Sequence, residues 1–290
     1  MPQQPPLRVT MAALIERHAV LLLDAYGVLI THDGVLPGAR ELVRHLRAIG
    51  KPFYILTNDA STSPQGHAAR FAGRGLDIAA ERIITAGMLL GPYFAAQDLA
   101  GARCAVLGPA DSALYVRHAG AVVVDLGQEP DAEVVVVCDE QGYALLETLD
   151  AVLSLLLRRL DAGLPVHLVL PNPDLVYPAG PGRYGLTAGA VAVLLEAALA
   201  QRYPERQDLR FVPLGKPHAG HFVEALRRSG TRDMVMVGDQ PDLDICGATR
   251  FGLPSALVTS GLARVAADGS GLERYGPEAQ PTYLLGSLLV

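Results

Sequence analysis

The stretch LLLDAYGVL, Leu21 to Leu29, decides how the rest of the chain is read. Three leucines run directly into Asp24, and a glycine and two more apolar residues follow Tyr26. So apolar a run reads as a strand buried on both faces, as in a parallel sheet. A carboxylate at its end stands where open parallel sheets bind ligands, just beyond the strand's carboxyl terminus. The tyrosine two residues later is the unusual feature.

Working outward, similar runs recur at 20–23, 53–56, 103–107, 121–124, 134–137, 166–170, 211–213, 234–237 and 255–258. Between them, apolar residues spaced by three and four predict helices over 39–49, 143–160, 187–202, 218–229 and 242–251. Alternating strands and helices give an α/β fold built from βαβ units. Proline and glycine cluster in PNPDLVYPAGPGRYG, residues 171–185, which reads as a loop.

Four apolar runs end in residues with chemistry. Asp24 follows the first, and Thr57-Asn58-Asp59 follow FYIL. Gly215 and Lys216 follow FVPL, while Gly238, Asp239, Asp242 and Asp244 follow MVMV. If these strands are neighbours, the groups converge. Carboxylates from two strand ends can hold Mg²⁺ through oxygen. A lysine and a hydroxyl can hold phosphoryl oxygens, and a carboxylate in line with the phosphorus can attack it. Each residue alone has a plain reading, as a helix cap, a turn former or a solvated loop residue. Four such groups, each just past a strand, point to a site.

Composition narrows the alternatives. The 290 residues are half hydrophobic, enough for one large domain or a domain with an insertion. The formal charge is −6 and no Lys/Arg block occurs, so nucleic acid and anionic membrane are not expected partners. No run reaches the length of a membrane span. MPQQPPLRVT lacks the pattern of a signal peptide, and three lone cysteines, Cys104, Cys138 and Cys246, fit a reducing setting. A cytoplasmic location is expected.

DAYGVL, LTND, GKP and GDQPDLD, in that order, resemble the four motifs of the haloacid dehalogenase superfamily. About 155 residues separate the second from the third, room for an inserted domain. ITAGMLL from Ile84, CDE from Cys138, NPDLVYP from Asn172 and GKPHAGHFVEAL resemble one branch in particular. It carries a large α/β cap at that place and includes nitrophenyl phosphatase-like and phosphoglycolate phosphatase-like proteins. The similarity runs from about residue 12 to 262. It implies a Rossmann-like parallel-sheet core, residues 1–86 and 209–290, and an α/β cap, residues 87–208. It also implies a Mg²⁺-dependent phosphatase for a small phosphorylated substrate, working through an aspartyl phosphate, and a homodimer formed through the cap.

Carried over by motif, Asp24 is the nucleophile and a metal ligand, and Lys216 balances charge. Thr57 and Asn58 bind the phosphoryl group, with Asp59 beside them. Asp239 and Asp244 hold Mg²⁺, joined by the backbone carbonyl of Tyr26. In the cap, Arg183 is a candidate for an anionic substrate, and Tyr177 or Tyr184 for stacking on a ring.

Tyr26 stands where the family's phosphatases place the Asp that protonates the leaving oxygen and then activates water. A phenol, with a reference pKa of about 10, can donate that proton but is a weak base for water. Three readings stand. Tyr26 performs the acid step itself; another carboxylate does, Asp59 or, in the next loop, Asp33; or turnover is weakened or lost, leaving a phosphate-binding or regulatory protein. A transferase is a further alternative.

Other patterns carry less. Gly180, Gly182 and Gly185 spell G-x-G-x-x-G, but the preceding strand ends near residue 170 and Pro181 interrupts the motif, which argues against a dinucleotide site. The eight histidines show no zinc spacing; His218 and His221, three apart, read as solvated or core residues. No G-x-S-x-G or Ser/Cys triad is apparent.

Overall fold

The structure is a computed structural model that describes residues 5–129, 131–259, 265, 266 and 268–290. Residues 1–4 of the stretch read for a signal peptide, and residue 262 where the family similarity ends, lie outside the described residues. The strands in chain order are β1 (Leu7–Val9), β2 (Val20–Asp24), β3 (Ile30–Thr31), β4 (Gly34–Val35), β5 (Phe53–Thr57), β6 (Ile83–Thr85), β7 (Arg103–Leu107) and β8 (Val122–Val123). They continue as β9 (Val134–Val137), β10 (His167–Leu170), β11 (Val176–Gly180), β12 (Arg183–Leu186), β13 (Val212–Pro213), β14 (Met234–Gly238), β15 (Ser255–Val258) and β16 (Tyr283–Leu285).

The fold is α/β, and the chain divides into two compact units. The first comprises Met1–Thr57, Pro64–Ile84 and Lys216–Val290. Its sheet has the order β1-β16-β15-β14-β2-β5-β6, registered in parallel from β1 through β5. The two-residue period of a strand sends alternate side chains to opposite faces. Leu21 and Leu23 of β2 therefore join Phe53, Ile55, Val235 and Val237 in one core with Leu42 and Leu46. Val20 and Leu22 join Leu56, Met234, Met236 and Phe222 in the other. Helix Ala39–Ala48 buries Ala39, Leu42, Val43 and Leu46, the predicted three-and-four spacing, while Gly220–Ser229 buries His221, Phe222 and Ala225.

The second unit comprises Asn58–Ser63 and Thr85–Gly215. Its five-stranded sheet, β13-β10-β9-β7-β8, is parallel throughout. On one face Val135, Val137, Leu168 and Leu170 pack against Leu155, Leu156, Leu195 and Leu199, from helices Leu145–Asp161 and Ala188–Arg202. On the other, Val134, Val136 and Val169 meet Phe94, Tyr115 and Val116.

Two features differ from the sequence reading. FVPL does not lie beside β2: β13 pairs with β10, and Leu214 and Gly215 extend that pairing to the carbonyls of Leu170 and Pro171. The chain therefore leaves the second unit's sheet only at Lys216. Residues 171–185 are not simply a loop, because β11 and β12 form an antiparallel hairpin with a register shift between Pro178 and Gly180. The three glycines lie in that hairpin rather than in a strand-to-helix turn. Among the described residues, no helix is long and apolar enough to cross a membrane.

Candidate active site

β2 lies between β14 and β5. Register places Leu23 beside Val237 and Asp24 beside Leu56, so Asp24, Thr57 and Asp239 all emerge at the carboxyl end of three adjacent parallel strands. Beyond Gly238 the chain makes a single π-helical turn, Pro241–Ile245, which carries Asp244. Such turns recur at functional sites because they displace side chains from the regular helical path.

Asp24, Asp239, Asp244 and Lys216 are all buried. One ligand oxygen from each of the three carboxylates lies within 4.8 Å of the others, the only such group of metal-binding side chains among the described residues. Lys216 Nζ donates to Asp24 Oδ1 at 2.7 Å, to Asp244 Oδ1 at 2.7 Å and to the Leu56 carbonyl at 3.4 Å. Asp24 Oδ1 also accepts from the Ala25 amide at 2.8 Å. Asp244 Oδ2 accepts from the amides of Asp239 and Gln240 at 3.2 and 3.1 Å, tying the π-turn back to the strand end.

Two glycines let the carboxylates crowd together. A Cβ on Gly27 would fall 2.1 Å from Asp239 Oδ2, and its φ of +89° is itself a glycine conformation. A Cβ on Gly238 would fall 2.2 Å from that of Asp244.

Three carboxylates against one lysine leave the site short of positive charge. Burial and the nearby Asp244 push the Asp24 carboxyl up to about 7, against the lowering pull of Lys216. Burial alone would lower the Lys216 ammonium, but Asp24 and Asp244 override it and hold it above its usual range. The donor set is all oxygen, hard and anionic, which suits a divalent cation such as Mg²⁺ better than a soft metal.

The other predicted residues are distributed differently. Thr57 is buried at the end of β5, in the same unit as Asp24. The Tyr26 hydroxyl accepts from the His32 amide at 3.0 Å. Asp33 is exposed and lies 2.9 Å from the His32 ring. Asn58, Asp59 and Arg183 belong to the second unit. There Asn58 Nδ2 donates to Asp174 Oδ1 at 2.9 Å, and Asp59 Oδ1 accepts from the Ser61 amide and hydroxyl at 2.6 Å each. Arg183, Tyr177 and Tyr184 are exposed on the β11–β12 hairpin.

His221 was read from the sequence as a solvated or core residue. It is fully buried, with Nε2 2.9 Å from the Thr57 carbonyl. The available signal was its place in the GKPHAGHF run, five residues past Lys216.

Comparison with known proteins agrees with this arrangement. The family Haloacid dehalogenase-like hydrolase matches residues 21–122, and the family HAD-hydrolase-like matches residues 213–289. The D-glycerol 3-phosphate phosphatase of Mycobacterium tuberculosis is 28% identical over 275 residues, covering 94% of this chain and 71% of that protein. A possible sugar phosphatase of the HAD superfamily from Cytophaga hutchinsonii superposes with a TM-score of 0.81 at 30% identity, covering 98% of this chain and 99% of its own. A glycerol phosphate phosphatase from Mycobacterium tuberculosis, solved in complex with magnesium, superposes with a TM-score of 0.78 at 25% identity, covering 95% of this chain and 76% of its own. With its four motifs, its parallel sheet and its acidic strand ends, the chain belongs to the haloacid dehalogenase-like hydrolases.

Proposed function

We propose that this chain is a Mg²⁺-dependent phosphatase acting on small phosphorylated metabolites, polyol and sugar phosphates foremost. The observation that carries this reading is the buried set Asp24, Asp239 and Asp244, crowded within 4.8 Å, with Lys216 bridging Asp24 and Asp244. Gly27 and Gly238 keep space that any side chain would fill. In this reading Asp24, Asp239, Asp244 and the Tyr26 carbonyl hold Mg²⁺. The bound ion supplies positive charge that offsets the phosphoryl oxygens.

The Asp24 carboxylate attacks phosphorus, the bond to the ester oxygen breaks, and that oxygen takes a proton. Water then attacks the aspartyl phosphate, freeing inorganic phosphate and restoring Asp24. Lys216 orients Asp24 and counters the charge that spreads over the phosphoryl oxygens. Thr57 offers its hydroxyl to the same group. Asn58, Asp59 and Arg183 stay in the proposal by motif and chemistry, with Asn58 in phosphoryl binding and Arg183 in substrate recognition. The proton donor is Tyr26 or a carboxylate, Asp59 foremost and then Asp33. The second unit acts as the cap, within a homodimer, and the lone buried thiols of Cys104, Cys138 and Cys246 support a cytoplasmic setting.

Tyr26 favours a second reading, in which the site binds phosphate ligands with little turnover. One assay separates the two: phosphate release from p-nitrophenyl phosphate and glycerol 3-phosphate with Mg²⁺ or with EDTA, beside calorimetric binding of inorganic phosphate. Mg²⁺-dependent release supports the phosphatase. Mg²⁺-dependent binding without release supports the second reading, and neither binding nor release overturns both.

A further inference from the structure

Two consecutive carbonyls at the end of β5 are held by side chains from one short stretch of chain. The Leu56 carbonyl accepts from Lys216 Nζ at 3.4 Å, and the Thr57 carbonyl lies 2.9 Å from His221 Nε2. The β2–β5 register ends at Asp24–Leu56, one residue short of Thr57. His221 is the second residue of helix Gly220–Ser229 and lies beside Phe222, whose ring packs into the apolar core on that face of the sheet.

A carbonyl can only accept, so Nε2 carries the proton. The buried Nδ1 has no hydrogen-bond partner, which fits the neutral ring with an unprotonated Nδ1. Burial and the nearby Lys216 push this imidazole down to about 3. An apolar side chain would fill the same space without stranding a ring nitrogen. The imidazole adds one thing an apolar residue cannot, a donor aimed at the strand end that carries Thr57.

Lys216 supplies the other half of the argument. Lys216 Nζ reaches Asp24, Asp244 and, at the longest distance, the Leu56 carbonyl. Of these contacts the one at 3.4 Å is the weakest, and so the most readily exchanged for an incoming phosphoryl oxygen. The contact between His221 and the Thr57 carbonyl does not depend on that exchange.

We propose that His221 is a positioning residue for the phosphoryl site: it holds the Thr57 carbonyl, and with it the hydroxyl-bearing end of β5, while Lys216 exchanges the Leu56 carbonyl for a phosphoryl oxygen. The proposal rests on the phosphatase reading above. It assigns His221 no contact with substrate.

The test compares the parent with His221→Met, His221→Asn and His221→Gln, all with Mg²⁺. Gln places a donor near the position of Nε2, Asn falls short of it, and Met has none. KM and kcat for p-nitrophenyl phosphate are measured beside calorimetric binding of inorganic phosphate, which needs no turnover. His221→Met and His221→Asn are expected to raise KM and weaken phosphate binding about tenfold, the equivalent of one hydrogen bond, with a smaller change in kcat. His221→Gln is expected to restore binding to within about twofold of the parent. If His221→Met does not fold, the Asn and Gln pair decides. Phosphate binding by Met and Asn variants equal to that of an active parent overturns the proposal alone. So does a Gln variant as weak as the other two, which would assign the ring to packing. A parent that neither turns over nor binds phosphate overturns the phosphatase reading, and the proposal with it.

Discussion

Lys216 faces two buried carboxylates at once, and the site depends on that charge. Removing one member of a buried ionic set leaves the others uncompensated, at a cost of about 3–5 kcal/mol. Lys216→Met is therefore expected to lower unfolding stability by that order and to recover part of the loss when Mg²⁺ is added. Denaturant unfolding with and without Mg²⁺ measures both, and a variant as stable as the parent without Mg²⁺ would contradict the electrostatic account. Tyr26 poses a separate question at the same scale. Its hydroxyl is engaged by the His32 amide, and a phenol is a poor base for water. Tyr26→Asp is expected to raise kcat for glycerol 3-phosphate by about 10² or more, and less for p-nitrophenyl phosphate, whose leaving group needs little protonation. A fall in both rates would assign the phenol a role that a carboxylate cannot fill.

At the scale of elements, the segment Asn58–Ser63 is fastened within the second unit. Tyr115 Oη donates to the Thr62 carbonyl at 2.7 Å, Ser112 Oγ to the Ala60 carbonyl at 2.9 Å, and the Ser63 amide to Asp111 Oδ2 at 2.7 Å. Tyr115→Phe leaves a buried carbonyl short of its donor and is expected to cost about 1–3 kcal/mol. Amide exchange across 58–63 should quicken, and unchanged exchange there would remove Tyr115 as the anchor. This fastening also marks what the sequence could not reveal. LTND reads as one motif, yet Thr57 belongs to one compact unit and Asn58 to the other, because the partners of 58–63 lie about fifty or more residues away. Strands such as β2, β9 and β14, buried on both faces, were legible as unbroken Val, Leu and Met runs. The β11–β12 hairpin was not: it is largely exposed, so it lacks a hydrophobic signature, and Pro178 and three glycines look like loop chemistry. Within the site the acidic strand ends were readable from sequence. The role of His221 was not, since a backbone carbonyl leaves no mark in the sequence.

For the whole molecule, pH links these groups to stability. His221 has a folded pKa of about 3, below the ordinary value of 6.5, so the unfolded chain binds more protons between those limits. Its contribution is complete above pH 6.5 and is lost as pH falls toward 3, at roughly 1.4 kcal/mol per pH unit. Asp24, raised from 3.8 to about 7, acts in the opposite sense when no Mg²⁺ is added, its contribution being lost as pH rises through that window. The parent curve therefore mixes the two, and the difference between the parent and His221→Met isolates the histidine. That difference should shift against the parent on acidification below pH 6.5, and a difference independent of pH would contradict a neutral, buried imidazole. The whole account turns on Asp24 as the attacking group. The most direct measurement is the rate of phosphate release from p-nitrophenyl phosphate with Mg²⁺, for the parent and for Asp24→Asn at matched folding. The account predicts turnover in the parent that EDTA removes and that Asp24→Asn reduces to background; an Asn variant that turns over at the parent's rate would contradict it.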